Sequence, residues 1–201
     1  MSTKILDYHQ LVELQPAHSL WRQYDPAHAP LRFNAATRQE AELWQISVRQ
    51  ALMQQIGFQD LPEVPFDAQL IEEVDKGDYV RQKILLRSGP GMLMPVYLLI
   101  PKGVSGPIPA VIAYNGHGYG VKDIVGLYED GNERSQPEGY QKHFAVELVR
   151  RGFLVAAPEI SGFGERQTDF SYLDRELGQE NPTSTCTHTA ALAFHLGGSL
   201  Q

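Results

Sequence analysis

Two short apolar runs that flank a helix-like stretch constrain the fold of this chain more than any other feature. Residues 110–114 (AVIAY) and 153–157 (FLVAA) are apolar or aromatic at every position, which is typical of strands buried on both faces of a parallel sheet. Between them Tyr140, Phe144 and Leu148 recur at intervals of about one helical turn, and this spacing predicts a helix. The order of strand, helix and strand predicts one right-handed βαβ unit.

The segment before this unit has the alternating pattern of antiparallel strands. Residues 70–74, 80–87 and 96–100 predict three strands, joined by the turn sequences KGD at residues 76–78 and SGPG at 88–91. The middle strand is expected to have one face in water, because charged residues alternate with apolar ones along it. The charged positions assigned to that face are Arg81, Lys83 and Arg87. Together the three strands predict an antiparallel meander.

The amino-terminal part of the chain has a different texture. Residues 1–60 are rich in Gln, His and Ala and are expected to form a helical arm, with the main domain at residues 61–201. Thr37 and Glu40 form a capping-box pattern, so a helix is expected to begin there. The apolar stripe of this helix comprises Trp44, Val48, Leu52 and Ile56, and its expected role is packing.

Two polar, glycine-containing loops follow the two apolar runs and form the candidate site. Residues 114–120 (YNGHGYG) follow the first run, and residues 158–166 (PEISGFGER) follow the second. Because the carboxyl ends of parallel strands meet at one edge of a sheet, both loops are expected on the same rim. The glycines of the first loop let main-chain N–H groups approach a ligand closely, although a plain turn that needs positive φ would explain them equally well. Their spacing is not that of a dinucleotide fingerprint.

The order of a strand, an HG-containing loop, a helix, a strand and a P(D/E)xxGxGxR loop resembles the amino-terminal half of an α/β-hydrolase. The dienelactone hydrolase and acetyl xylan esterase-like branch is the most similar one, and the resemblance covers residues 70–201. It implies an α/β fold class: a partial α/β-hydrolase fold in which the antiparallel meander leads into a parallel sheet, with the helical arm in front.

The resemblance also implies roles for individual residues of the first loop. In that family the loop after the third strand donates a main-chain N–H to the oxyanion of the tetrahedral intermediate. The matching positions are Gly118 and Tyr119, of which the Tyr119 amide is favoured, and His117 is expected to shape the loop by hydrogen bonding. Glu159 and Arg166 are expected to form a structural polar network beneath the rim, with an ion pair as its favoured form.

The catalytic triad of that family has no counterpart in the sequence. No G-x-S-x-G motif occurs, and neither Ser161 nor Ser199 follows a strand into a sharp elbow. The family's chain order of Ser, Asp or Glu, and His implies that all three lie outside these residues. The expected function is therefore hydrolysis of carboxylic, acetyl-type esters through a serine acyl-enzyme, with the 201 residues inactive alone. Whether the chain is itself an enzyme stays open; the alternative is a non-catalytic oligomerisation or regulatory module on a truncated hydrolase fold.

Other chemistry-bearing residues are better explained as structural. A last helix is expected to begin at Asn181 and Pro182, and it would place Cys186, His188 and His195 together. A Cys–His pair or a two-histidine metal site is conceivable there, but a buried thiol and half-exposed histidines explain the same residues. The acidic residues of the stretch 121–139 predict a solvated surface loop: Asp123, Glu129, Asp130 and Glu133. No metal and no cofactor are expected.

Charge and composition narrow the range of partners. Lys and Arg total 17 against 24 Asp and Glu, a net charge of −7 without a basic block, which argues against nucleic acid. No apolar run reaches about 18 residues, so a membrane span is not expected. One cysteine, Cys186, and the lack of a signal-peptide pattern favour a cytoplasmic protein. The expected partners are a small-molecule ester, if a carboxy-terminal half completes the enzyme, and a second copy or a complementing chain at the apolar edge of residues 111–114.

Overall fold

The computed structural model describes residues 14–24, 27–56, 63–170 and 184–195 of the 201. The chain divides into two compact units, Met1–Ile56 and Gly57–Gln201. The assignment of residues 1–60 to an arm and residues 61–201 to a hydrolase domain stays a prediction.

The first unit contains two helices, α1 (Pro16–Arg22) and α2 (Arg38–Gln55). The predicted capping box is confirmed: Thr37 Oγ1 accepts the Glu40 N–H at 3.2 Å, and a Glu40 carboxylate oxygen accepts the Thr37 N–H at 3.1 Å. Trp44 from the apolar stripe packs edge-on against Phe33, with ring centroids 4.8 Å apart. Its indole N–H donates to the Leu31 carbonyl at 2.8 Å, so α2 is fixed to the loop that precedes it.

The second unit is built on a five-stranded sheet in the order β1-β2-β3-β5-β4. The strands are β1 (Gln69–Asp75), β2 (Tyr79–Gly89), β3 (Met92–Pro101), β4 (Ala110–Ile112) and β5 (Leu154–Pro158). β1, β2 and β3 pair antiparallel in sequence order, β5 runs antiparallel to β3, and β4 runs parallel to β5. The predicted fold class, an antiparallel meander leading into a parallel strand pair, is therefore confirmed.

Two helices of this unit are described, α3 (Phe144–Arg150) and α4 (Cys186–His195). The helix predicted through Tyr140 begins only at Phe144, because Lys142 and His143 have φ values of 46° and 41° in the left-handed region and interrupt the helical path. Tyr140 is exposed instead of packed. The predicted start of the last helix at residues 181–182 lies outside the described residues.

The segment after the first loop packs partly into the core, so the prediction of a solvated surface loop is wrong for Asp123 and confirmed for Glu129, Asp130 and Glu133, which are exposed. Its fully buried side chains are Val121, Ile124, Val125 and Leu127, and they join Leu99, Val155 and Ala157 of the sheet. Asp123 is buried among them, 5% exposed, and is not a surface carboxylate. The apolar residues of this segment lie three or four apart, but the segment does not form a regular helix. Because polar residues separate them, the sequence pattern did not predict that this segment packs into the core.

Burial of Arg81 overturns the expectation that this residue faces water. The residue is 3% exposed, and its guanidinium donates to both carboxylate oxygens of Glu133, at 3.1 and 2.6 Å. Lys76 Nζ lies 2.9 Å from the same carboxylate. Folding of Glu133 and its segment against β2 therefore covers a position that the strand pattern assigned to solvent. Lys83 is half-buried beside Glu165, and Arg87 alone of the three is exposed.

Within the parts of the chain that are described, no helix is both long enough and apolar enough to span a bilayer.

Candidate functional site

The two predicted loops meet at the carboxyl ends of β4 and β5. These strands are parallel neighbours, so the residues that follow each of them leave the same edge of the sheet. Gly120 of the first loop has a φ of 97°, and a Cβ placed there would lie 2.6 Å from Glu159 Oε1 and 2.9 Å from the Cα of Gly164. Glycine at position 120 thus permits both the backbone conformation and the close contact between the loops.

The centre of the first loop carries main-chain donors without partners. Among the described residues, the N–H groups of residues 117–120 have no hydrogen-bond partner. The loop is held on either side of them: the Gly116 N–H donates to Gln141 Oε1 at 2.8 Å, and the Val121 N–H donates to Glu159 Oε1 at 2.9 Å. A run of free N–H groups between fixed ends is the arrangement that binds an anion or a developing oxyanion.

The structure places the three predicted site residues on this run. Gly118 and Tyr119 are half-buried, and His117 is exposed. Gly118 has a φ of 151°, near the edge of the range that side-chain-bearing residues avoid. The assignment of these three residues to catalysis remains a proposal.

The Tyr119 side chain anchors the loop from below. Its hydroxyl donates to the Leu127 carbonyl at 2.9 Å and accepts from Arg134 Nη1 at 3.0 Å. Burial, followed by the charge of Asp123, raises the pKa of Tyr119 to about 12, so the hydroxyl stays protonated at any physiological pH. The side chain is thus committed to the fold, which leaves the main-chain N–H as the group that Tyr119 can offer to a ligand.

A buried ion pair lies beneath the loop and was not foreseen from the sequence. Arg134 Nη1 is 2.7 Å from Asp123 Oδ1, and the two side chains are 2% and 7% exposed. Arg134 Nη2 also donates to the Asp123 carbonyl at 2.5 Å, and Gln141 Nε2 donates to Asp123 Oδ2 at 3.1 Å. Because Gln141 in turn holds the Gly116 N–H, the pair supports the first loop through one intermediate residue.

Glu159 connects the two loops, but not through the predicted ion pair. The residue is 1% exposed, and Arg166 Nη1 donates to its main-chain carbonyl at 3.1 Å rather than to its carboxylate. The predicted Glu159–Arg166 ion pair is therefore wrong. Burial raises the pKa of Glu159 to about 7, against the opposing effect of the hydrogen bond from the Val121 N–H.

His117 contacts a cysteine from a different part of the chain. Its Nε2 lies 3.9 Å from Cys186 Sγ at the start of α4, and its ring lies edge-on to Phe163 at 5.5 Å. A hydrogen bond from the Tyr140 hydroxyl to the His117 carbonyl fixes the main chain of this residue. These contacts fix the ring and the main chain of His117 in the middle of the loop, and its shaping role stays a prediction.

The helix histidines do not pair with Cys186. His188 Nδ1 lies 3.2 Å from Thr168 Oγ1, and His195 Nδ1 lies 2.7 Å from the carbonyl of Ala191. Across residues 14–24, 27–56, 63–170 and 184–195, no three His, Cys, Asp or Glu side chains converge as a metal site would require.

Comparison with known proteins identifies relatives at the level of the family and the fold. A family model described as the Abhydrolase family matches residues 15–183. A solved structure of a putative acetyl xylan esterase from Bacteroides fragilis NCTC 9343 is 20% identical, with a TM-score of 0.67 over 98% of this chain and 47% of that chain. A methylesterase structure is 24% identical, with a TM-score of 0.50 over 66% of this chain and 27% of that chain.

The chain thus spans about half, or less, of the length of these structures. At such identities the likeness concerns the fold. No curated protein matches the sequence significantly.

Proposed function

Because this chain belongs to the Abhydrolase family, we propose that it is the oxyanion-binding part of a hydrolase that acts on carboxylic, acetyl-type esters. The observation that carries the proposal is the run of main-chain N–H groups at residues 117–120, which have no partner among the described residues and lie at the carboxyl ends of β4 and β5. The Gly118 and Tyr119 amides are the proposed donors. The structurally similar protein from Bacteroides fragilis, a putative acetyl xylan esterase, supports the choice of acetyl-type esters.

The proposed chemistry follows from what acyl transfer requires. When a nucleophile attacks an ester carbonyl, negative charge develops on the carbonyl oxygen, and preorganised N–H donors stabilise it without reorganising. The bonds at Gly116 and Val121 supply that preorganisation, because they fix the main chain immediately before and after the free donors. His117 shapes the loop and is not assigned a proton-transfer role.

The nucleophile is proposed to come from outside the 201 residues. The sequence contains no G-x-S-x-G elbow, and the proposed serine, acid and histidine belong to the remaining half of the fold. That half would lie on the same chain or on a second one. The oxyanion-binding part is then necessary for turnover and insufficient alone.

Turnover is expected to depend on that second half. Residues 1–201 alone should hydrolyse p-nitrophenyl acetate at the rate of buffer, because they stabilise charge but carry no attacking hydroxyl. Expression together with a segment that carries the elbow should give turnover that a serine-reactive phosphonate abolishes. The measurement is release of p-nitrophenol, with Ser161→Ala and Ser199→Ala in the 201-residue chain as matched controls. Phosphonate-sensitive turnover by residues 1–201 would contradict the proposal.

The alternative function, a non-catalytic oligomerisation module, is favoured by one observation. In the described part of the chain, β4 is the edge strand of the sheet and pairs with β5 alone. Its Ile112 is 64% exposed, and Tyr114 just beyond it is 59% exposed. An apolar strand with an open edge promotes pairing with another strand, from a second copy or from a complementing chain.

Association through this edge should be measurable by light scattering after size-exclusion chromatography. We expect the 201-residue chain to form dimers at high concentration and Ile112→Lys to remain monomeric, since a charge on an edge strand opposes pairing. Leu93→Lys is the matched control: Leu93 is 52% exposed but lies on the inner strand β3, so its substitution should leave the dimer intact. A wild-type chain that stays monomeric at every concentration would exclude the module.

A further inference from the structure

The Glu159 carboxylate fills the space between the two loops. Its Oε1 accepts the Val121 N–H at 2.9 Å. A Cβ on Gly120 would lie 2.6 Å from Oε1 and 2.8 Å from Oε2, and a Cβ on Gly164 would overlap Oε2. Two glycines, one from each loop, therefore make room for one carboxylate. Glu159 as a whole residue is only 1% exposed to solvent.

Among the residues that the structure describes, no cationic side chain forms an ion pair with this carboxylate. Arg166 is directed to the Glu159 carbonyl, and the Lys122 ammonium donates to the Glu129 carbonyl at 2.8 Å. Glu165, the other acidic residue that acts on Glu159, is paired with Lys83 at 2.6 Å. Among the described residues, the hydrogen bond that holds the carboxylate is the one from the Val121 N–H.

We propose that Glu159 is a positioning residue for the oxyanion loop, and that gain of a proton at its carboxyl loosens the hold on residues 117–121. This inference rests on the proposed oxyanion role of that loop. The carboxylate acts through the Val121 N–H, which is adjacent to the free donors, and it touches neither substrate nor reacting atoms.

Protonation changes the loop because it removes acceptor capacity at the contact. An ionised carboxylate accepts N–H groups at both oxygens in charge-assisted bonds, whereas a neutral carboxyl has one oxygen that carries the proton and bonds that are about half as strong. The O–H group of the protonated carboxyl also needs a hydrogen-bond acceptor, within a space that closely fits the ionised carboxylate. With its pKa raised by burial to about 7, Glu159 changes state in the range in which cells operate.

Nuclear magnetic resonance of the ¹⁵N-labelled 201-residue chain tests the inference without reference to turnover. In wild type, the Gly120 and Val121 amide signals should shift with one midpoint near pH 7. The Val121 amide should exchange with solvent about fivefold more slowly, after correction for intrinsic rates, above the midpoint than below it. Glu159→Gln should abolish both effects, and Glu165→Gln should preserve them with a lower midpoint, because it removes a neighbouring negative charge that raises the pKa of Glu159.

Each outcome is decisive. A Val121 signal that does not titrate in wild type, or that titrates equally in Glu159→Gln, overturns the inference; the first result is available even if the variant fails to fold. Amide signals in β2 should not follow the same midpoint, which separates an effect on the loop from a change of the whole domain. If the loop titrates as expected while the completed protein lacks esterase activity, the oxyanion role fails and the contact made by Glu159 stands.

Discussion

Arg134→Met is expected to lower the free energy of unfolding by about 3–5 kcal/mol, because it leaves the Asp123 carboxylate buried without its counter-charge. The two side chains are 2% and 7% exposed and 2.7 Å apart. The substitution also removes the donor to the Tyr119 hydroxyl, so the first loop loses part of its support. Urea unfolding followed by circular dichroism and tyrosine fluorescence measures the change, because both tryptophans, Trp21 and Trp44, lie in the first unit.

Two controls separate the buried charge from the loss of an arginine. Arg38→Met removes an exposed arginine that pairs with Glu42, and it should change the stability by less than about 0.5 kcal/mol. The double variant Asp123→Asn with Arg134→Met should recover part of the lost stability, since the uncompensated charge is then absent. An Arg134→Met chain within about 1 kcal/mol of wild type would show that the pair is not a structural element of the loop.

The stability of the chain is expected to fall as pH rises through 7, through the carboxyl of Glu159. Its folded-state pKa of about 7 exceeds the ordinary value of 4.5, so the folded chain binds the proton more tightly than the unfolded chain does. The resulting stabilisation is complete below the unfolded pKa and is lost as pH rises through the folded one. Between about pH 5 and about pH 8.5 the loss should amount to 2–3 kcal/mol.

A variant comparison isolates this contribution from that of other titrating groups. Urea unfolding of wild type and Glu159→Gln at both pH values gives the difference between them, and wild type should lose stability relative to the variant as pH rises. Glu165→Gln, which changes a more exposed carboxyl nearby, should lose stability in the same direction as wild type but by less, because the Glu165 charge contributes to the raised pKa of Glu159. A wild type that loses no stability relative to Glu159→Gln over this range would show that the folded-state pKa of Glu159 is not raised.

The elements that local sequence determines were predicted well. β2, β3 and β5 follow apolar runs and turn sequences, and the Thr37 cap depends on residues three apart, so short-range patterns were sufficient. The start of α3 was misplaced because the left-handed conformation of Lys142 and His143 has no signal in residue type. Tertiary packing imposes that conformation on residues that ordinarily avoid it.

The main error of the sequence-based prediction was to place charged residues in solvent that are in fact buried. It arose because the ion-pair partners of these residues are distant in the sequence. Arg81 and Glu133 are 52 residues apart, so a strand pattern alone assigned Arg81 to solvent. Asp123 was likewise assigned to solvent, because its ion-pair partner Arg134 lies beyond the next turn of the chain. At the site, the order of strands predicted that two loops share a rim, because that follows from topology. The contact of Glu159 with Gly120 and Gly164 could not be predicted, because it depends on side-chain placement between loops.

The fit of one carboxylate between two glycines has a consequence for how sequences of this kind can diverge. Adding a methyl group at either glycine is incompatible with the present acid, since a Cβ would collide with it. A shorter acid would relieve the contact with a Cβ at position 164 but withdraw its acceptor from the Val121 amide, and a Cβ at position 120 would still lie 2.9 Å from the Cα of Gly164. Positions 120, 159 and 164 are therefore coupled in their tolerance of mutation: glycine is required at 120 and 164 as long as position 159 carries a side chain of the size of Glu or Gln.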